Sequence, residues 1–403
     1  MSLWRGTFDS LRNRSYLWLW LGRLAASATF EMGGVAQGWL VYYKLTGSAL
    51  DLALVGLGSS LMMLVLAPYG GVITERVPKR TVLLWTRAGM ALNSLVIGLL
   101  VSTEAIQVWH LVVSSFFTGT LFAFMLPAQT TIISDLVDRR TLLNAFSLDA
   151  LGMGLMGFVG ASVSGWLIER LGAAGVYYTM LGFFLLSIYS IGKLPTVRSA
   201  YVGSESVWGE MREGWRYLVS SPALVGLLGV SLCRVLFAMP YRTLMPAFAR
   251  SLGFGATGLG LLVSAPTVGA LVVSLVLAAL GDFRGKGTLM LVSGVLLGAM
   301  LILFVTIPWL PLTFFFLALV GAGNSVCMVA SNTLVQGNCD PQCRARVVSI
   351  NVMLWGLTPL DTLPAGAIAD RTGVPLVVGV QGLIVMLVFI GIARFFPQIR
   401  KLD

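Results

Sequence analysis

Residues 165–172 read Gly165-Trp166-Leu167-Ile168-Glu169-Arg170-Leu171-Gly172, and half a chain later residues 366–373 read Gly366-Ala367-Ile368-Ala369-Asp370-Arg371-Thr372-Gly373. The shared pattern is G-x-x-x-[DE]-R-x-G. Each copy closes an apolar run of roughly twenty residues, the length that crosses a ~30 Å hydrocarbon core. Each run is preceded by a short polar loop with acid before base: Asp138-Arg139-Arg140 in one case, Asp340 followed by Arg344 and Arg346 in the other. Recurrence with matching flanks after half a chain marks two duplicated units.

Outward from these two loops, the same length criterion predicts spans at 16–43, 50–73, 81–102, 108–133, 145–168 and 176–194, then at 224–248, 258–280, 289–307, 312–335, 347–369 and 376–395. The 403 residues are 57% hydrophobic and only 11% charged, against about 25% charged in soluble domains. Such a chain cannot coat a soluble globule, which excludes a soluble enzyme, a disordered segment and a secreted disulfide scaffold. The expected fold class is an all-α membrane protein with twelve transmembrane helices in two pseudo-symmetric six-helix bundles. The expected divisions are an N-terminal bundle over 1–195, a cytoplasmic linker with an amphipathic helix over 196–221, and a C-terminal bundle over 222–403. Duplicated halves of this kind enclose a path between them, with binding near the bilayer midplane.

Lysine and arginine set the expected orientation. Most of the 27 basic residues, among them Arg12, Arg14, Arg76, Arg80, Arg87, Arg284 and Arg400, are assigned to the loops on the side of the termini. The opposite loops hold Lys44, Arg170, Arg250 and Arg371. Both termini are therefore expected in the cytoplasm. The net charge of +10 follows from this bias and from contact with anionic lipid, so no nucleic-acid partner is needed. The amphipathic linker helix is expected over 204–217. Cys233 and Cys327 fall inside spans as packing residues; Cys339 and Cys343 lack the further ligands a zinc site wants, and His110 falls at a span end.

The repeat pattern occurs a third time between spans two and three, at Gly71-Val72-Ile73-Thr74-Glu75-Arg76-Val77-Pro78-Lys79-Arg80. This stretch resembles the loop signature of the major facilitator superfamily, G-x-x-x-D-R-x-G-R-[RK], with Glu75 where Asp is usual and Pro78 where Gly is usual. The stretches at 11–22, Leu45-Thr46-Gly47-Ser48, Pro127-Ala128, Asn144-Ala145 and 213–218 are similar to the bacterial exporter branch, which holds the enterobactin exporter and macrolide and tetracycline efflux relatives. The resemblance implies the major facilitator fold, alternating access, and a cytoplasmic gate made by Gly71, Glu75, Arg76, Lys79 and Arg80. It also implies export of amphiphilic small molecules across the inner membrane. The fifth-span antiporter signature of the family, G-P-x-x-G-G, is present only as Gly160-Ala161-Ser162-Val163-Ser164-Gly165, so proton coupling follows from the branch rather than from a motif.

Ionisable residues inside a bilayer are costly and mark functional sites by default. Six are of interest: Arg23, Glu31, Asp149, Arg234, Arg242 and Asp361. Glu31 lies about 22 Å along a span that starts at Tyr16, near or just beyond the midplane. It is the leading proton-coupling candidate, followed by Asp361, between Pro359 and Pro364, and then Asp149, expected to snorkel or to pair with Arg139 or Arg140. The alternative for Glu31 is a fixed ion pair with Arg234 or Arg23. Arg23, Arg234 and Arg242 serve as charge partners or substrate contacts. Trp39, Phe124, Met125, Phe237, Tyr241 and Trp355 are candidates for an adaptable apolar cavity, with fewer than half expected to line it. No G-x-x-x-x-G-K-[ST] loop is present, so a gradient supplies the energy, and neither cofactor nor enzymatic activity is expected. The partners are a small-molecule substrate, protons and the lipid bilayer, for a monomer. Two other readings stand beside multidrug export: a narrow exporter of a siderophore or other metabolite, and a non-transporting receptor or scaffold on a transporter fold.

Overall fold

The computed structural model describes residues 9–138, 141–195, 207–280, 284–307, 309–339, 347, 350 and 353–401. Thirteen helices organise them, and no strand occurs among the described residues. In the first half these are α1 (Arg14–Trp39), α2 (Ala49–Arg76), α3 (Lys79–Ser102), α4 (Val108–Leu136) and α5 (Leu142–Gly192). A linker helix, α6 (Val207–Ser220), is followed by α7 (Pro222–Cys233), α8 (Tyr241–Ser251), α9 (Ala256–Leu280), α10 (Lys286–Thr306), α11 (Leu310–Gly337), α12 (Pro359–Thr372) and α13 (Val374–Phe395).

Among the described residues, nine stretches are long and apolar enough to cross a membrane. One of them, Asn144–Gly192, holds two crossings, because the chain turns at Gly172 with φ 72° and ψ 174°. That region of backbone space is essentially open only to glycine. The same device separates α12 from α13 at Gly373, φ 88° and ψ 152°. The glycine that ends each copy of the sequence repeat is thus its turning point. The other two crossings are α1, whose charges lower its hydropathy, and the interrupted span that ends in α12.

Local signals set the helix starts. Asn13 accepts from the backbone N–H of Ser15 and Tyr16 and opens α1. Ser48 accepts from Asp51 N–H and opens α2. The seventh crossing is broken: α7 passes into a wide turn over Arg234–Ala238, and Pro240, which has no N–H to donate, stands immediately before α8. The linker helix exposes Arg212, Glu213, Trp215 and Arg216 and buries Leu218.

In lipid, helices gain little from burying apolar surface against each other, so close backbone approach and hydrogen bonds hold them together. A Cβ built on Gly321 of α11 would lie 1.8 Å from the Pro266 carbonyl oxygen of α9. In the first half α1 packs along α5, α2 on α4, and α3 on α5 and α4; in the second, α10 packs on α13 and α11, and α9 on α11. The two halves meet mainly along two seams, α5 on α9 and α2 on α12. Outward-facing side chains such as Leu99, Val113, Leu186, Leu296 and Leu387 are apolar and exposed, as a lipid-facing surface requires.

Candidate functional site

Arg23 and Glu31 stand about two turns apart on α1, offset by ~80° around the axis at 3.6 residues per turn. They serve different neighbours. Arg23 turns into the first half. Its Nε and Nη2 donate to the two carboxylate oxygens of Asp149 at 2.6 and 2.7 Å, and its Nη1 donates to the Gln129 carbonyl at 2.7 Å. Both side chains are 9% exposed. This fork-to-fork pair fastens α1, α4 and α5 and makes Arg23 a partner of Asp149; Arg139 and Arg140, the partners expected from the sequence, lie outside the described residues.

Glu31 turns toward the second half. Arg242 Nη2, in the first turn of α8, donates to both Glu31 oxygens at 2.8 and 2.9 Å. The sequence-based alternatives, Arg234 and Arg23, are therefore not its partners. The break at Pro240 lets Arg242 reach across the gap. Gly157 of α5 lies beside the pair, where a Cβ would make ordinary contact with Glu31 Cγ at 3.7 Å and with Thr267 Cγ2 of α9 at 3.4 Å. Unlike the Arg23–Asp149 pair, this one is open: the Arg242 side chain is 40% exposed and that of Glu31 15%. The interhalf pair near mid-span is partly exposed, and the intrahalf pair is buried.

Arg234, buried in the wide turn, donates from Nη1 to Asn324 Oδ1 of α11 at 3.2 Å. Asp361, in the first turn of α12, accepts from Gln381 Nε2 of α13. Trp39 stacks on Tyr43 with ring centroids 3.9 Å apart. Met125 and Tyr241 are buried, Phe237 packs against the core, and Trp355 is exposed. Phe124 lines an apolar groove of about 540 Å³ with Trp85, Gly89, Phe117 and Leu121, on the flank formed by α2, α3 and α4.

Lys79 and Arg80 of the loop resembling the superfamily signature are tied to their own half. Lys79 Nζ pairs with Asp135 Oδ2 at 2.6 Å. Arg80 donates to the carbonyls of Ile191 and Gly192 at 3.3 and 2.6 Å, capping the end of α5 with a cation. Gly71, Glu75 and Arg76 fall in the last turns of α2, and the side chains at 71 and 75 lie outside the described part of the structure. Cys339 is buried; Cys343 lies outside the described residues.

Two features escape a linear reading. Arg87, assigned above to a terminus-side loop, is buried at 3% exposure about two turns into α3. Its Nη1 lies 3.9 Å from the Met90 sulfur, and its Nε is buried without a hydrogen-bond partner. Its depth from Lys79 is legible in the sequence; its burial is not. The second feature is the set of polar links between the halves at the end remote from the termini. Arg250 Nη1 donates to the Tyr42 carbonyl at 2.9 Å, and the Tyr43 hydroxyl to the Phe254 carbonyl at 2.8 Å. Glu169 accepts from Thr257 N–H, and Asp370 from Ala49 N–H. The donation from Thr257 holds the Glu169 carboxyl below the usual carboxylate range.

Comparison with known proteins agrees with this architecture. Residues 5–403 match the family described as transmembrane secretion effector. The chain is 26% identical to the multidrug efflux pump Tap of Mycolicibacterium fortuitum over 94% of this chain and 95% of that protein. It is 21% identical to the staphyloferrin A transporter of Staphylococcus aureus over 87% and 89% respectively. A bacterial homologue of the human lysosomal transporter Spinster, solved in an inward-facing and unoccupied conformation, superposes with a TM-score of 0.69 at 13% identity, covering 97% of this chain and 99% of that one. A twelve-helix architecture in two related halves and full-length similarity to efflux proteins together place the chain in the transmembrane secretion effector family of the major facilitator superfamily.

Proposed function

We propose that the protein exports amphiphilic small molecules through the inner membrane by alternating access, driven by proton entry, with both termini in the cytoplasm. The observation that carries this reading is the partly exposed Glu31–Arg242 pair joining the two halves. An ion pair near mid-membrane is held by its own charge balance. Protonating Glu31 removes one charge and leaves Arg242 uncompensated in a low-dielectric site, which is strongly unfavourable. The halves then separate at this level or accept a cationic group in exchange. A substrate and a proton competing for one carboxylate give antiport without further machinery. Similarity to a multidrug efflux pump and the lysine–arginine bias of the loops support the direction and the orientation. The divisions at 195 and 222 belong to the same proposal.

Energised inside-out vesicles with a pH-sensitive dye test it. Lipophilic cations or macrolides added to the wild type release lumenal protons, and Glu31→Gln abolishes that release. Release that persists in Glu31→Gln removes Glu31 from the coupling step. A narrower exporter of an anionic metabolite is the second reading, favoured by Arg87 and Arg234, both buried, with the latter bonded to a neutral amide, and by the staphyloferrin A transporter among the relatives. A polycarboxylate that triggers proton release where cations do not would decide for it.

A further inference from the structure

The two repeat copies do the same thing in three dimensions. At the end remote from the termini, Glu169 Oε1 accepts from Thr257 N–H at 3.0 Å, in the first turn of α9. Half a chain later, Asp370 accepts from Ala49 N–H at 2.6 Å, from Leu50 N–H at 3.2 Å and from the Ser48 hydroxyl at 2.8 Å, at the start of α2. Each acid ends a helix of one half and caps a helix of the other. The first glycine of each copy makes this approach possible: a Cβ on Gly165 would lie 2.4 Å from the Ala256 carbonyl oxygen, and one on Gly366 2.7 Å from that of Ala49. The pattern G-x-x-x-[DE]-R-x-G therefore decomposes into a close-approach glycine, a capping acid, and a turning glycine.

Helix starts carry unsatisfied N–H groups and a partial positive charge of about half a unit, and a carboxylate answers both with charge-assisted bonds. Such caps are lost as soon as the partner helix moves away. We propose that Glu169 and Asp370 are paired interhalf latches that hold the end remote from the termini shut, and that both release when that end opens. The inference rests on the alternating-access reading. The latches are unequal. Asp370 holds three donors and Glu169 one. Arg250, which bonds Tyr42 and lies 5.6 Å from the ring centres of Tyr42 and Tyr43, steadies the same rim.

The test uses the full-length protein in nanodiscs, with nitroxides attached by non-cysteine chemistry. One pair, at positions 104 and 309, reads the remote end; a second, at 138 and 337, reads the terminus end. Glu169→Ala, Asp370→Ala and the double variant are compared with wild type by pulsed dipolar spectroscopy. The remote-end distance should gain a longer component while the terminus-end distance gains a shorter one. The population shift expected for losing one helix cap is roughly fivefold, larger for Asp370→Ala and largest for the double variant. Should Asp370→Ala fail to insert, Asp370→Asn, which keeps one acceptor oxygen, is read in the same way. Unchanged distances in both pairs overturn the latch. A longer remote-end distance with an unchanged terminus-end distance upholds the latch and overturns alternating access.

Discussion

Arg23 and Arg242 differ in burial: the Arg23 side chain is 9% exposed and that of Arg242 40%. Arg23 and Asp149 are sealed and fully bonded, so removing one member strands the other. Arg23→Met should cost about 3–5 kcal/mol, the penalty for an uncompensated buried charge, and Arg23→Met with Asp149→Leu should recover most of it. Thermal unfolding in detergent of the two single variants and the double one measures this coupling. Arg87 behaves oppositely. It has a neutral sulfur beside Nη1 and a buried Nε with no partner, so Arg87→Met should leave the unfolding midpoint unchanged or raise it. A clear fall would show that Arg87 holds a group the fold depends on.

At the scale of elements, the turning glycines and the capping acids make separate predictions. Gly172→Ala or Gly373→Ala forces a side chain into backbone space that is essentially glycine-only, with an expected cost of about 1–3 kcal/mol each, read as a lower unfolding midpoint. The Glu169 cap is a charge effect with a definite sign. Its carboxyl is held low chiefly by the backbone donation from Thr257, with nearby Arg170 helping against the cost of desolvation. A carboxyl depressed in the closed state favours closure above its ordinary value, and that contribution is lost as pH falls through the depressed one. The remote-end distance should therefore be constant across neutral pH and lengthen only below the usual carboxylate range, near 4. Lengthening already between pH 8 and 6 would assign the response to another group.

For the whole molecule, the proposed alternating access makes opening at the remote rim, where the halves are in contact, a rigid-body event rather than local fraying. Joining the rim covalently should then stop transport without disturbing the fold. Lys44→Cys and Arg250→Cys, bridged by a short bifunctional thiol reagent, should lose substrate-dependent proton release while keeping the unfolding midpoint. Each single variant treated with the reagent should keep its flux. Flux that survives the bridge would place the moving surface elsewhere.

The amino-acid sequence by itself determined the membrane class, the number of crossings and the duplication, while the turns at Gly172 and Gly373 came from the backbone. Class and number depend on a local quantity: twenty apolar residues fill the bilayer wherever they occur. The sequence also placed six charges in the spans, because depth accumulates at a fixed rise per residue. It did not determine which charge meets which. Depth says nothing about the direction in which a side chain leaves the helix or which helix lies there. Arg23 and Asp149 are 126 residues apart, and Glu31 and Arg242 are 211 apart. Only the packing of α1 against α5, and of one half against the other, chose these partners. Packing likewise buried Arg87, which falls within the 81–102 span, and set Glu169 and Asp370 on helix starts of the opposite half. A low-dielectric interior tolerates charges only where the assembled fold brings counter-charges and hydrogen-bond partners to them.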